Sequence, residues 1–156
     1  MLPPAIAQDL QDFLRVLHSR YGEDLVSVVL FGSWARGEAR AESDIDLMVI
    51  SKHFPRSRLD RHRDMFEAVK AVTKDFALKS SIISLTPEEA STTKPFYLGM
   101  VTAHVLLYDR DGFFTVILQR LKKRLAELGS ERRVDKDGYE YWVLKPDFKP
   151  GEVIEL

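Results

Sequence analysis

Short β-branched runs alternate along this chain with longer stretches in which apolar residues return every three or four positions. The run from Leu25 to Phe31 and the run from Ser43 to Ile50 are of the first kind and predict buried strands. Phe76 to Leu85 reads as a third strand. A helix precedes it, so it is expected to lie parallel to the second. His104 to Tyr108 reads as a fourth. Helical spacing marks Ile6, Leu10, Phe13, Leu14 and Leu17, which predict a first helix ending near Tyr21-Gly22. A further helix is expected from about Leu59 to Lys74, with Leu59, Met65, Phe66, Val69 and Val72 buried and the arginines around them on a solvated face. Thr86-Pro87-Glu88-Glu89 is a capping box that opens a short helix, and Phe96 to Val101 predicts another. Phe113 to Leu128 carries a strong apolar stripe and stops at Gly129, and Arg132 to Leu144 reads as a hairpin turning at Asp137-Gly138. The pattern predicts an α/β (α+β) fold: a mixed sheet of about four strands with packed helices, plus a C-terminal helix and β-hairpin.

With 156 residues, 45% of them hydrophobic, the chain suits one domain, 1–156, with a core over 22–108 and an extension over 113–156. The 23 basic and 24 acidic side chains nearly balance, so nothing points to sequence-specific nucleic-acid binding. Cysteine is absent, which excludes disulfides and thiolate metal sites. No apolar run reaches membrane-spanning length and the start lacks signal-peptide character, so a cytoplasmic protein is expected. The tail from Lys145, with Pro146, Pro150 and Gly151, is expected to be extended, lying along the body or reaching a second copy in a homo-oligomer.

Candidate chemistry is concentrated between Phe31 and Ile50. Gly32 lets another group approach the backbone, and Ser33 is a good N-cap for a short helix near Trp34. A helix start offers unpaired amides to an anion, so Gly32 and Ser33 form a candidate phosphate cradle, with Arg36 adding a charge-assisted contact. Asp44 and Asp46 are two apart and share one face of the expected strand. Two such carboxylates repel, and a hard divalent ion with oxygen ligands is the natural group to sit between them.

Gly32-Ser33, Ala35-Arg36-Gly37 and Ser43-Asp44-Ile45-Asp46-Leu47 together resemble the signature of the DNA polymerase beta-like nucleotidyltransferase superfamily, and most of all its minimal nucleotidyltransferases. The resemblance covers about Leu25 to Leu85. It implies binding of ATP or another nucleoside triphosphate, a Mg2+ or Mn2+ ion on Asp44 and Asp46, and transfer of a nucleoside monophosphate to a hydroxyl acceptor. It also implies an antitoxin role beside a small helical toxin. In that family the third strand usually supplies another carboxylate, but no acid lies between Phe76 and Leu85. Ser81 is the best match for its place, and Asp75 stands just before the expected strand. Two readings therefore remain open, a working transferase and a catalytically impaired module of the same fold that binds nucleotide or a partner.

Overall fold

Two apolar runs become the central strands of a sheet covered on both faces. The computed structural model describes residues 1–156. Its elements in chain order are α1 (Ala7–Tyr21), β1 (Leu25–Phe31), α2 (Gly32–Arg36), β2 (Ile45–Ser51), α3 (Arg58–Lys70), α4 (Lys74–Lys79), β3 (Ser80–Leu85), α5 (Pro87–Ser91), α6 (Tyr97–Thr102), β4 (Val105–Asp109), α7 (Phe113–Glu127), β5 (Glu131–Val134) and β6 (Glu140–Val143). Four strands form a mixed sheet in the order β3-β2-β1-β4, and β5 pairs with β6 as a separate hairpin. β1 is antiparallel to both β2 and β4, whereas β2 and β3 are parallel.

Burial on both faces explains why β1 and β2 are apolar almost throughout. Val28, Leu30, Ile45, Leu47 and Val49 pack under Leu10, Phe13 and Leu17 of α1, Met65 and Val69 of α3, and Phe76 of α4. Val26, Val29, Met48 and Ile50 pack on the other side, under Tyr97 and Met100 of α6 and Phe114, Leu118, Leu121 and Leu125 of α7. The result is a helix–sheet–helix sandwich.

Three details of helix α3 and strand β3 differ from the sequence expectation. Phe76 to Lys79 belongs to a helix rather than to the third strand. The Thr73 hydroxyl accepts the Phe76 N–H at 3.0 Å and caps this turn, while Phe76 is buried against Phe13. Leu59 and Phe66 are exposed, and Arg61 takes a place in the buried stripe with Met65, Ala68 and Val69. Its guanidinium is tolerated there because each of its three nitrogens donates: to Glu89 Oε2 at 2.7 Å and Oε1 at 3.0 Å, to the Ser84 carbonyl at 3.3 Å and to the Pro55 carbonyl. The two hydrogen bonds to Glu89, above all, hold its carboxyl below the usual glutamate range. Glu89 also closes the capping box with Thr86.

The tail lies along the body of its own chain: Arg124 Nε donates to the Glu155 carbonyl at 2.8 Å, and Lys145 pairs with Glu152 at 2.7 Å. No helix is long and apolar enough to cross a membrane.

Asp109 ends β4 and caps α7, a role the sequence reading did not assign to it. Its carboxylate accepts from Ser27 Oγ (2.6 Å), Phe114 N–H (2.9 Å), Thr115 N–H (3.0 Å) and Thr115 Oγ1 (2.7 Å). Burial by itself would raise this carboxyl, but the four hydrogen bonds outweigh it and hold it below the usual aspartate range. A depressed folded-state value stabilises the fold above the unfolded-state pKa, and that contribution is lost as pH falls through the folded one. Asp109→Ala should cost about 1–3 kcal/mol at neutral pH. Chemical denaturation at a series of pH values checks this, with the difference from the native chain expected to shrink once the pH falls below the ordinary carboxylate range.

Candidate functional site

The antiparallel register pairs Phe31 with Asp46, so the turn that follows β1 meets the start of β2. Gly32 leaves the strand with φ of +70°, a conformation that favours glycine. Its missing side chain is also a spatial requirement: a Cβ there would collide with Asp46 Oδ2 and stand 3.0 Å from the carboxyl carbon. The Asp46 carboxylate thus lies directly against the Gly32 backbone.

The short helix α2 begins at Gly32, and Ser33 falls inside its first turn instead of capping it. The strand end at Phe31 takes the cap position, and no side chain closes it. The α2 helix ends at Gly37 in the left-handed region, φ +72°. Trp34 then pins the returning loop, its indole N–H donating to the Ser43 carbonyl at 3.4 Å, next to Asp44. The Arg36 guanidinium pairs with Glu38 at 2.9 Å, yet its charge still reaches Asp46.

Asp44 precedes β2 rather than lying within it, and it is exposed. Asp46 is half-buried on the face of Met48 and Ile50. Burial first, and then the charge of Asp44, push the Asp46 carboxyl above the usual aspartate range, against the opposing pull of Arg36. Crowded oxygen donors of like charge fit a hard divalent cation, which would relieve both effects. No group of three or more His, Asp or Glu side chains is assembled around an ion position, so phosphate or water oxygens would complete any coordination.

On β3, Ser81 pairs in parallel register with Asp46 and is exposed. A hydroxyl therefore occupies the strand position beside Asp46 where the resemblance implies a third carboxylate. Asp75 does not replace it. It sits at the start of α4, exposed and paired with Lys79 at 3.0 Å.

A cleft of 1020 Å³ opens beside this centre. Asp44 lines one end, the whole of β3 forms its floor, and Arg58, His62 and Phe66 of α3 face Lys94 and Phe96 across it. Sequence reasoning placed these arginines on a solvated face and missed the cleft. A usable signal was present: Arg61, Met65, Ala68 and Val69 follow helical spacing, which turns Arg61 inward and Arg58 toward β3.

The close approach at Gly32 makes Gly32→Ala destabilising by at least about 1–2 kcal/mol from the left-handed backbone alone, read as a lower thermal midpoint. The raised Asp46 value has the opposite sign from that of Asp109. A carboxyl with a raised folded-state pKa destabilises the fold as pH rises through the window from its unfolded value to its folded value. Asp46→Asn should therefore melt higher than the native chain at pH near 7 in chelator, with the gap closing in acid; scanning calorimetry at the two pH values measures it.

Residues 10–96, more than half of the chain, match the family model described as a nucleotidyltransferase domain. A proposed protein adenylyltransferase of Methanocaldococcus jannaschii, MJ1305, is 37% identical over 115 residues, covering 72% of this chain and 78% of the relative. A second proposed protein adenylyltransferase of that organism, MJ1379, is 33% identical over 79 residues, covering 51% and 74%. Among solved structures, a chain of a toxin–antitoxin complex with AMP-PNP superimposes with a TM-score of 0.50 at 18% identity, covering 77% of this chain and 92% of that one. A mutant of the MntA toxin–antitoxin complex gives the same TM-score and coverage at 17% identity. The likeness to these two structures is one of fold. On the match to its central turn and strands, and on its identity to the archaeal relatives, the chain belongs to the nucleotidyltransferase domain family.

Proposed function

We propose that this chain transfers AMP from ATP to a hydroxyl of a protein acceptor, and that the acceptor is a toxin with which it forms an antitoxin pair. The observation that carries this reading is the contact of the Asp46 carboxylate with the Gly32 backbone, which joins a candidate phosphate turn to a candidate cation site. The names of the archaeal relatives support adenylyl transfer to protein, and the toxin–antitoxin complexes with the same fold support the partner.

In this reading the Gly32 backbone, the Ser33 hydroxyl and Arg36 hold the triphosphate, with Arg36 exchanging Glu38 for phosphate oxygen. Asp44 and Asp46 hold a divalent cation, Mg2+ or Mn2+. When bound, that ion neutralises charge on the transferring and leaving phosphates. The acceptor oxygen forms a bond to the α-phosphorus, the bond from that phosphorus to the α,β-bridging oxygen breaks, and pyrophosphate leaves. The acceptor proton passes to solvent water, since Ser81 offers no carboxylate to take it.

Ser81 also favours a second reading, a module that binds nucleotide and partner without transfer. Labelled ATP with magnesium and candidate protein acceptors separates the two. Transfer should occur and fall at least about 100-fold in Asp44→Ala/Asp46→Ala, the two carboxylates acting as one unit. Ser81→Asp should raise the rate by about 10²–10⁴-fold if a missing base limits the reaction. Magnesium-dependent nucleotide binding with no transfer in either the native chain or Ser81→Asp would decide for the module.

A further inference from the structure

The cleft beside the aspartate pair is floored by a strand edge that no other strand covers. β3 is one of the two edge strands of the sheet, and all six of its residues line the cleft. The Ser84 carbonyl accepts from Arg61, so it points away from β2. Backbone groups alternate in direction along a strand, so those of Ile82 point the same way, into the cleft. Open edges of this kind are a liability that soluble proteins usually blunt or cover. Here the edge is left open from Ser80 to Ile83 between two walls, which the buried Arg61–Glu89 pair ties together across Ser84.

The walls also carry unspent side chains. Arg58 forms no ion pair, Lys94 acts on Glu89 by charge without bonding to it, and Phe66 is 49% exposed on the same helix face as the cleft. Of the two acids that line the cleft, Glu89 is paired with Arg61, and Asp44 stands at the end where transfer would occur. We infer that the β3 edge is the docking groove for the acceptor protein. An extended segment of the acceptor adds to the sheet as a further strand, with acidic side chains toward Arg58 and Lys94 and its hydroxyl residue at the Ser81 and Asp44 end. This rests on the transferase reading and adds to it where the acceptor lies. The open stretch, Ser80 to Ile83, spans about 13 Å, room for a short extended segment. A strand edge recognises peptide backbone, and alternate side chains then supply selectivity. Nucleic acid has no such edge to offer, and two free cations are few for a phosphate backbone.

The test uses the isotope-labelled full chain and synthetic nonapeptides in which Glu and Val alternate around a central Tyr, Ser or Thr. Matching peptides carry Lys for Glu, or N-methyl groups on alternate backbone amides in one phase or the other. The acidic peptides should shift the amide resonances of β3 and α3. N-methylation should abolish binding in one phase and leave it intact in the other. Arg58→Glu/Lys94→Glu should weaken the acidic peptides by about tenfold and favour the Lys peptides, with nucleotide affinity unchanged. Shifts located elsewhere, equal binding of acidic and basic peptides, or indifference to N-methylation in both phases would overturn the inference. So would a single-stranded oligoadenylate that occupies β3 in preference to the peptides. Nucleotide binding is measured in parallel. Peptide docking without it leaves the groove standing and removes the transferase reading, while nucleotide binding without docking removes the groove alone.

Discussion

The pairing of Phe31 with Asp46 across the two central strands is the constraint on which the site depends. β1 and β2 are held in that register by burial on both faces, each fully buried Val, Leu or Ile contributing about 1.5–3 kcal/mol. A slip of one residue would turn Asp46 into the apolar layer under α1 and α3 and bring Ile45 out beside the glycine turn. Because the register is so costly to change, the Gly32 backbone and the Asp46 carboxylate meet without any hydrogen bond of their own to hold them. The site is a by-product of the packing of the sheet.

That rigidity carries an electrostatic cost. Asp46 is half-buried beside a second acid, and its raised carboxyl records the strain of keeping it ionised. Asp109 shows the contrasting case in the same sheet, where burial is offset by four hydrogen bonds and the group supports the fold. The difference lies in the donors supplied. Asp109 faces the start of α7 and two hydroxyls, whereas the neighbours of Asp46 are another carboxylate and a guanidinium already shared with Glu38. A structural acid is satisfied by its own chain, and a site acid is left for something that binds.

Arg61 plays the corresponding structural part on the open side of the sheet. By joining Pro55, Ser84 and Glu89 it fixes α3 and α5 on either side of β3. The surface pairs of the hairpin and the tail, such as Arg133 with Glu131, are exposed and contribute little by comparison. The hairpin is attached instead through Trp142 and Leu144, which pack at the α7 side of the core.

Elements with strong local signals were legible without coordinates. The apolar runs of β1 and β2, the Thr86 capping box, the stripe of α7 and the Asp137-Gly138 turn all appear where the pattern places them, because each depends on residues a few positions apart. The sequence by itself also determined which chemistry is present: a glycine-serine turn, two aspartates at a strand start, and no acid on β3. Only the tertiary structure decided how those groups meet. Phe76 was drawn out of the strand by its cap and by Phe13, a residue more than sixty positions away. Arg61 could be buried only because Glu89 arrives from another helix, and Ser81 stands beside Asp46 only because α3 and α4 return the chain in parallel register. Local periodicity reports which face of an element is apolar, while the partner that faces it comes from a distant part of the chain and is settled by packing.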